Sequence, residues 1–409
     1  MLPWLSGRPT ALARTALSTQ SSLEAAVAEV AANLGAASPA DLALVFASSS
    51  YASDLPRLLP LLRQRLKANH WIGASGGGVV GSNANAKPKE LEQGPGLSVT
   101  LLRLPGAKLT SFKIDPAQLP DLDGAAAPWQ QAVGADPAEG GGMLLWIDPA
   151  STGINDLISG LDFAYPAMAK VGGLAAMHSA GHGSLLLDQE VCGGAVGCVI
   201  SGDWTVEPVV AQGCRPIGPV FEVEQAQRNI LLELRQGDHL NNPVVALQQV
   251  IDELPADDRE LLRHSLFVGL ARHRFSLQPS TEPLPFLVRN LMGVDPRHGA
   301  IAVADSLRVG QRLQFQLRDA STSRQELAQL LQRQQQRSPQ PLAALLFACL
   351  GRGRALYGES DVDANLCWEQ FNNVPISGLF CNGEIGPVDG ATQLHGYTAS
   401  WGFVVPSQR

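Results

Sequence analysis

The chain has 409 residues, of which 45% are hydrophobic and 17% charged, and its 38 acidic and 30 basic residues give a formal net charge of -8. This composition suits a folded chain of two or three packed units, and its acidic balance argues against a nucleic-acid partner. No apolar run reaches the ~20 residues that span a bilayer, and six cysteines without a Cys-x-x-Cys pair or Cys/His cluster predict a soluble protein of a reducing compartment, with no metal and no cofactor.

Residues 1–20 are predicted to form a leader ahead of a helix at about 22–34. The leader carries Arg8 and Arg14 and is rich in Ser, Thr and Ala, but it lacks the continuous apolar stretch of a secretory signal. We therefore expect a cytoplasmic protein, and organellar targeting stays an open alternative.

A strand–helix–strand–strand pattern follows the leader and recurs near the C-terminus. The first βαββ unit comprises the apolar run 41–49, the helical spacing of 55–66 and the strand-like segments 70–82 and 96–106. The same order returns at 343–349, 362–372, 374–388 and 394–405. The recurrence predicts an internal repeat.

Glycines align when the two units are superposed. Gly73 falls on Gly378, Gly78 on Gly383 and Gly81 on Gly386. Each pair predicts a position of positive φ or of close backbone approach, because such positions favour glycine.

Two weaker copies complete the predicted organisation. One comprises 142–148, 154–169, 170–176 and 183–203, and is aligned by the 27 residues from Trp146 to Gly173; the other is a degenerate copy within 219–320. We predict an α/β fold of mixed sheets, built from repeated βαββ units in two associated halves, 21–218 and 219–409. Helices are expected to pack outside sheets that face each other.

Three familiar motifs lack the context that their chemistry needs. The segment 76–81 matches a dinucleotide fingerprint and 73–77 matches a nucleophile elbow, but neither is followed by a predicted helix. The segment 361–365 resembles the start of a calcium loop, yet Leu366 stands where glycine is required. We expect Asp361 or Asp363 to cap the following helix instead.

The segment 347–358 is the first candidate for a binding site. A strand ends at Cys349 and is followed by Gly351, Arg352 and Gly353, so that open backbone N–H groups and a guanidinium could hold a carboxylate or phosphate. The alternative is a buried apolar cysteine beside a surface turn.

The segment 381–396 is its predicted partner. Asn382, Gly383 and Glu384 lie in a glycine-flanked bend, and His395 precedes the last strand. These side chains could line one cleft with Cys349. The alternative is that Glu384 caps local backbone donors and His395 is a satisfied core residue.

Arg289 and Asn290 interrupt a strand-like apolar segment, 286–295. An unpaired charge there would be costly, so the arginine needs a partner. That partner is either a ligand anion or an internal acid, and the internal acid is favoured.

Taken together, these segments resemble the FIST family, which pairs an N-terminal with a C-terminal FIST domain. The resemblance covers about residues 20–405 and is carried by the segments 42–48, 71–82, 213–219, 242–255, 286–305, 315–320, 347–359 and 376–397. It implies a FIST N-like domain at 21–218 and a FIST C-like domain at 219–409. It also implies a sensory small-ligand module of signal transduction, with amino acids as expected ligands and a protein partner as an option.

Three functions remain open on the sequence. The leading hypothesis is a binding protein for an amino acid or similar small polar anion, held between glycine-rich loops. Arg352 or Arg289 would bind the carboxylate and Glu384 the amine. The second is a thiol-dependent enzyme with Cys349 as nucleophile and His395 as base. The third is a protein-interaction scaffold without a ligand.

Overall fold

A computed structural model describes residues 10–35, 39–271 and 286–408. The chain forms two compact units, which we call the first unit (1–211 with 327–409) and the second unit (212–326). The described part of the first unit holds three structural repeats of similar order, and the second unit is inserted in the chain within the third. The predicted boundary at 218/219 between halves stays a prediction.

Repeat 1 begins with a strand inside the segment that the sequence assigns to a leader; residues 1–9 of that leader lie outside the described residues. Its elements are β1 (Leu12–Ser18), α1 (Leu23–Leu34), β2 (Ala40–Ser48), α2 (Leu55–Arg65), β3 (Ala68–Gly76), β4 (Gly78–Gly81), β5 (Lys89–Leu91) and β6 (Leu97–Arg103). Ser22 caps α1 by accepting a hydrogen bond from the Ala25 N–H.

Repeat 2 has the same order of elements. They are β7 (Ala107–Ile114), α3 (Ala127–Val133), β8 (Gly142–Ile147), α4 (Ile154–Ala164), β9 (Ala169–Leu174), β10 (Leu185–Leu187), β11 (Glu190–Cys192) and β12 (Ala195–Gly202). Repeat 3 then starts with β13 (Trp204–Ala211), after which the chain enters the second unit.

The second unit contains one antiparallel sheet around its own core. Its described elements are β14 (Cys214–Gln227), β15 (Ile230–Gln236), β16 (His239–Asn241), α5 (Pro243–Glu253), α6 (Ala256–Ser265), β17 (Leu266–Ala271), β18 (Phe286–Asp295), β19 (Ala300–Val303) and β20 (Arg312–Arg318). Asn242 caps α5 and Pro243 opens it, as the segment predicts.

The chain returns to the first unit within α7 (Ala320–Arg337) and completes repeat 3. The remaining elements are β21 (Ala343–Cys349), α8 (Arg354–Tyr357), α9 (Val362–Gln370), β22 (Ile376–Cys381), β23 (Glu384–Val388), β24 (Ala391–His395) and β25 (Ala399–Pro406). The predicted α/β class, with mixed sheets and repeated units, is confirmed.

The three repeats exchange hairpins in a cycle. The sheet orders are β1-β6-β2-β3-β10-β11, β7-β12-β8-β9-β23-β24 and β13-β25-β21-β22-β4-β5. Each sheet therefore takes four strands from its own repeat and a two-stranded hairpin from another. In each, the two strands that flank a helical crossover are parallel, and the others are antiparallel.

Successive side chains along each strand point to opposite faces of the sheet. In the first unit they form one hydrophobic cluster between the three sheets and further clusters on the outer faces. Phe46, Trp146 and Phe347 stand at equivalent positions of β2, β8 and β21, and their rings meet at centroid distances of 5.6, 5.7 and 6.1 Å. Their strand neighbours Val45 and Leu145 belong to outer clusters that also contain residues of the helices. The helices therefore cover the outer faces of sheets whose inner faces meet.

Close backbone approach explains the first aligned pair of glycines, Gly73 and Gly378. A Cβ at Gly73 would lie 1.7 Å from the Val45 carbonyl oxygen, and one at Gly378 would lie 1.8 Å from that of Leu346. In repeat 2 the equivalent position is Gly172, 1.8 Å from the Leu145 oxygen. The predicted alignment of Gly173 is therefore wrong by one residue, because apolar spacing cannot choose between adjacent glycines.

The segments 73–81 and 361–365 do not adopt the structures of the dinucleotide, nucleophile-elbow and calcium motifs that their sequences resemble. Gly78 begins a strand, so neither a dinucleotide-binding helix nor a nucleophile elbow follows the glycines. Asp361 occupies the residue before α9 but makes no side-chain cap. The capping prediction for Asp361 and Asp363 is therefore wrong, because both carboxylates are engaged elsewhere.

Candidate functional site

A cavity of about 820 Å³ opens in the first unit beside the predicted glycine-rich loop. One wall is the segment at β5, which repeat 1 contributes, and the other is the segment after β21 of repeat 3. The lining residues are Lys89, Glu90, Leu91, Glu92, Gln93, Leu350, Arg354, Ala355, Ser360, Asp361 and Phe380. The hairpin exchange thus brings together two segments some 260 residues apart in the chain.

Gly353 allows the two walls to approach. Its φ is +62°, and a Cβ there would lie 2.5 Å from the Glu92 carboxylate. The two Glu92 oxygens accept hydrogen bonds from the Arg354 N–H at 3.0 and 3.1 Å. A side chain at position 353 would displace Glu92, so this glycine is a requirement of the site's geometry.

Arg352 lies behind the cavity wall and is fully buried. Its Nε and Nη2 donate to the two oxygens of Asp363 at 2.6 and 2.9 Å, and Nη2 also contacts the Tyr357 hydroxyl at 2.6 Å. The surface-turn alternative for this arginine is therefore wrong. Because the guanidinium already has an internal acid, direct binding of a ligand by Arg352 stays a prediction that its burial disfavours.

Glu90 joins this buried group from the opposite wall. Its Oε1 accepts the Ala364 N–H at 2.7 Å, in the first turn of α9. Burial, and then the nearby Asp363 carboxylate, raise the pKa of Glu90 to about 8. At neutral pH the Glu90 side chain is therefore largely protonated, and it lies next to the Arg352–Asp363 pair.

The remaining charges of the lining differ in whether they have partners. Asp361 accepts hydrogen bonds from the Glu90 N–H at 2.7 Å and from the Lys89 ammonium at 2.9 Å. By contrast, the Arg354 guanidinium forms no hydrogen bond or ion pair with the residues that the structure describes, and Glu92 meets only backbone N–H. An arginine and a glutamate without a charged side-chain partner in the described part of the chain thus lie beside the apolar side chains of Leu350 and Phe380.

Cys349 and the bend at 382–383 lie close in the chain to residues that line the cavity. Cys349 precedes Leu350 and is half-buried, and its Sγ accepts the Gly351 N–H at 3.4 Å. Cys381 follows Phe380 and is the register partner of Cys349 on β22. Full burial, and then the Glu384 carboxylate, raise the pKa of the Cys381 thiol well above its ordinary value.

Glu384 and His395 face each other as register partners on β23 and β24, and both are buried. Glu384 Oε2 accepts the Thr398 N–H at 3.1 Å, and His395 Nε2 lies 3.0 Å from the Gly386 carbonyl oxygen. These contacts match the core alternative for both residues. The structure thus brings the pair together, but neither residue lines the cavity.

Asn382 and Gly383 form the bend between β22 and β23. The Asn382 Nδ2 donates to the Ala175 carbonyl at 3.2 Å, and the Gly383 carbonyl accepts the Leu174 N–H at 2.8 Å. Both contacts join repeat 3 to repeat 2. A ligand contact by either residue stays a prediction.

Arg289 and Asn290 belong to the second unit, on β18. The Arg289 Nε donates to Asp305 Oδ2 at 2.8 Å, which gives this arginine the internal acid that the analysis favours. The Asn290 carbonyl accepts the Ala304 N–H at 2.9 Å. Both residues therefore have partners within the second unit.

Arg354, Lys89 and Glu92 are the lining residues that sequence reasoning misses. The Gly-Arg-Gly-Arg segment 351–354 carries a usable signal, since it offers two arginines of which only one can occupy the buried position. The segment 89–93 carries none, because nothing in its pattern shows that it joins the sheet of repeat 3.

The described residues hold no candidate metal cluster and no helix suited to span a membrane. Within 10–35, 39–271 and 286–408 there is no group of three His, Cys, Asp or Glu side chains that could hold a metal ion. None of the described helices has the length and apolar character to cross a membrane.

Comparison with known proteins gives two family matches that together span most of the chain. The model of the FIST N domain matches residues 41–236, and that of the FIST C domain matches residues 244–387. An uncharacterized protein of Mycobacterium tuberculosis is 32% identical over 396 residues, covering 95% of this chain and 98% of the relative. One of Mycobacterium bovis is 36% identical over 265 residues, covering 64% and 67%.

Two solved structures show a weak likeness. A cyanuric acid hydrolase from A. caulinodans has a TM-score of 0.35 at 9% identity, with 98% of this chain and 100% of that chain covered. A second cyanuric acid hydrolase has a TM-score of 0.32 at 9% identity, with 97% and 100% covered. A likeness of this size carries no argument about function.

Proposed function

The chain belongs to the FIST family, whose domains are small-ligand sensory modules, and from this premise we propose that the cavity beside β5 and β21 binds a free amino acid for signalling. The observation that carries the proposal is a pair of opposite charges in the lining, Arg354 and Glu92, neither of which has a charged side-chain partner among the described residues. A free amino acid carries one carboxylate and one ammonium group, so it complements both.

Arg354 is the proposed carboxylate ligand. Its guanidinium is exposed to the cavity and always charged, and its planar donors suit a bidentate carboxylate contact. This assignment moves the role predicted for Arg352 by two residues. Arg352 would act as a positioning residue, because its pair with Asp363 fixes the loop that carries Arg354.

Glu92 is the proposed partner of the ligand's ammonium group. Its carboxylate is held in place by the Arg354 N–H, and it has no cationic side chain as a partner among the described residues. Asp361 suits this role less well, since it already binds the Lys89 ammonium at 2.9 Å.

The apolar part of the lining supports a ligand with an apolar side chain. Leu350, Leu91 and Phe380 lie between the charged positions. Burial of apolar side-chain area contributes about 25 cal/mol per Å², so an amino acid such as leucine or phenylalanine would bind more tightly than glycine.

The cavity is also placed to transmit binding. Its two walls come from repeats 1 and 3, and they are joined by the contacts of Glu90 with Ala364 and of Glu92 with Arg354. A ligand that bridges the walls would stabilise the association of the β4–β5 hairpin with the third sheet. We propose this as the sensory step.

Native mass spectrometry of freshly purified protein, followed by denaturation and identification of released molecules, tests the proposal. We expect a stoichiometric amino acid that is lost in Arg354→Gln. Arg65→Gln is the matched control, because Arg65 is an exposed helical arginine outside the cavity and the charge change is the same. Equal occupancy in the two variants would contradict the assignment of Arg354.

A further inference from the structure

A second, smaller pocket of about 330 Å³ lies in the first unit between α1, the loop after β4 and the loop before β22. Its lining combines four asparagines and two hydroxyl side chains with seven other residues, most of them apolar. The lining residues are Ala13, Arg14, Thr15, Asn33, Ser82, Asn83, Ala84, Asn85, Ala86, Trp368, Asn373, Val374 and Pro375. None of them lines the cavity of the proposed function.

Three amides of this lining are uncommitted. Asn83 binds both the N–H and the carbonyl of Leu17, at 2.9 and 3.2 Å. The side chains of Asn33, Asn85 and Asn373, by contrast, are exposed to solvent and make no hydrogen bond to any residue in the described part of the chain. Each amide offers two N–H donors and a carbonyl acceptor, so the pocket presents both donors and acceptors.

The backbone at two of these asparagines is unusual. Asn85 has φ = 59° and Asn373 has φ = 71°, in the left-handed region that favours glycine. Asparagine tolerates this region best among the other residues, and here it also provides an amide that lines the pocket. The backbone at the two positions therefore favours asparagine or glycine over other residues.

The lining also limits the charge of a ligand. Arg14 is the one charged residue of this lining, all of which the structure describes, and its Nη1 donates to the Leu34 carbonyl at 3.1 Å. No carboxylate faces the pocket. A cation would find no counter-charge in the lining, and an anion would find only Arg14, whose guanidinium already donates to a backbone carbonyl. A neutral molecule rich in hydrogen-bonding groups needs neither charge.

The remaining features restrict the ligand's shape. The volume lies at the low end of the ~300–1,000 Å³ of small-molecule sites, which suits a compact ligand rather than an extended peptide. A single indole, Trp368, contributes to the lining, and the Lys87 ammonium lies 5.6 Å from its ring centroid. A nucleobase slot would need two flat faces. Sugars combine an apolar face with neighbouring hydroxyls that match amide groups.

We propose that this pocket binds a small neutral polyhydroxylated molecule of monosaccharide size, with Asn33, Asn85 and Asn373 as its hydrogen-bonding ligands. The site is distinct from the amino-acid cavity and is not assigned by the family. It would give the protein a second small-molecule input on the same unit.

Saturation-transfer difference NMR with glucose, galactose, mannose, ribose and myo-inositol tests the proposal on the full-length protein. We expect saturable binding of at least one of them. Asn373→Gly and Asn85→Gly remove an amide without straining the backbone, and each should weaken that binding about 5- to 10-fold.

Asn372→Gly is the matched control, since Asn372 also has a positive φ (49°) but does not line the pocket. The Asn372→Gly variant should bind the sugar with the affinity of the wild type. The proposal is overturned if no neutral sugar binds at millimolar concentrations, if only dipeptides or nucleosides bind, or if all three glycine variants behave alike. Arg354→Gln should leave sugar binding intact, so this test fails or succeeds independently of the amino-acid proposal.

Discussion

Glu90 illustrates how burial sets the chemistry of one side chain. It is 4% exposed, accepts the Ala364 N–H, and lies close enough to Asp363 for that charge to raise its pKa further. In the unfolded chain the same group would ionise near its ordinary pKa of 4.5. The folded state therefore binds more protons than the unfolded state between about pH 4.5 and 8.

This difference predicts a pH-dependent effect of Glu90→Gln. Because the raised pKa disfavours the ionised folded form, Glu90 lowers the stability of the wild type as pH rises from about 4.5 to 8. Glutamine keeps the acceptor for Ala364 and never ionises. We expect thermal unfolding of the two proteins to be similar near pH 5, and the variant to melt higher at pH 8.

Glu369→Gln is the control for that series, since the Glu369 side chain is 60% exposed and pairs with the exposed Lys87. Its difference from the wild type should not grow with pH. A melting difference for Glu90→Gln that is the same at pH 5 and pH 8 would show that Glu90 titrates normally.

The cysteines allow the thiol-enzyme alternative to be tested. Burial raises the pKa of Cys192 to about 11 and that of Cys198 to about 12, and it raises those of Cys367 and Cys381 well above the ordinary value. These thiols should resist iodoacetamide at neutral pH. We expect slow labelling confined to the half-buried Cys214 and Cys349, measured by peptide mass spectrometry.

The labelling rate of Cys349 relative to Cys214 decides between a binding protein and a thiol-dependent enzyme. A binding protein predicts that Cys349 reacts no faster than a free thiol, and Cys214 is the internal reference. Labelling of Cys349 that is orders of magnitude faster would support an activated nucleophile and weigh against the amino-acid proposal.

Residue-scale prediction from the sequence was partly successful. The segment that holds Gly351, Arg352 and Gly353 does border a cavity. The sequence could indicate this segment because glycines at the end of a strand are a local signal. The choice between Arg352 and Arg354 was beyond the sequence, since it depends on Asp363 from a later helix. The positions of Glu384 and His395 likewise depend on strand pairing that no local pattern encodes.

At the scale of elements, the crossover glycines are the most sensitive positions. Gly73→Ala or Gly378→Ala would place a methyl group within 2 Å of a carbonyl oxygen, and the parallel strands would have to separate. We expect each to lower the free energy of unfolding by about 3 kcal/mol or more, measured by urea denaturation.

Gly181→Ala is a suitable control, because a Cβ there meets nothing within 4 Å and φ is not positive. It should change stability by less than about 0.5 kcal/mol. Similar effects of Gly73→Ala and Gly181→Ala would refute the close-approach explanation of the glycine alignment.

The βαββ elements themselves were predictable because their apolar periods differ clearly between strands and helices. The strand β1 was missed, since a Ser- and Ala-rich segment gives a weak strand pattern and only its pairing with β6 fixes it. The short strand β5 was also missed, whereas the hairpin of β10 and β11 lies in the segment 183–203 that the sequence includes in the second copy.

At the scale of the whole molecule, the hairpin exchange links the three repeats of the first unit. Each repeat completes another's sheet, so none of the three sheets can form from its own repeat alone. Sequence similarity reveals the repeats but not this exchange, because hydrogen-bonding partners leave no mark on periodicity. The exchange is also what places Lys89–Gln93 beside Arg354 and creates the cavity.

The most direct test of the central claim is a calorimetric titration of leucine, phenylalanine and glycine into the wild type and Arg354→Gln. The account predicts saturable binding of an apolar amino acid to the wild type and at least about 10-fold weaker binding to the variant, the effect of losing one charge-assisted contact. Equal affinities, or no heat of binding for any amino acid, would contradict it.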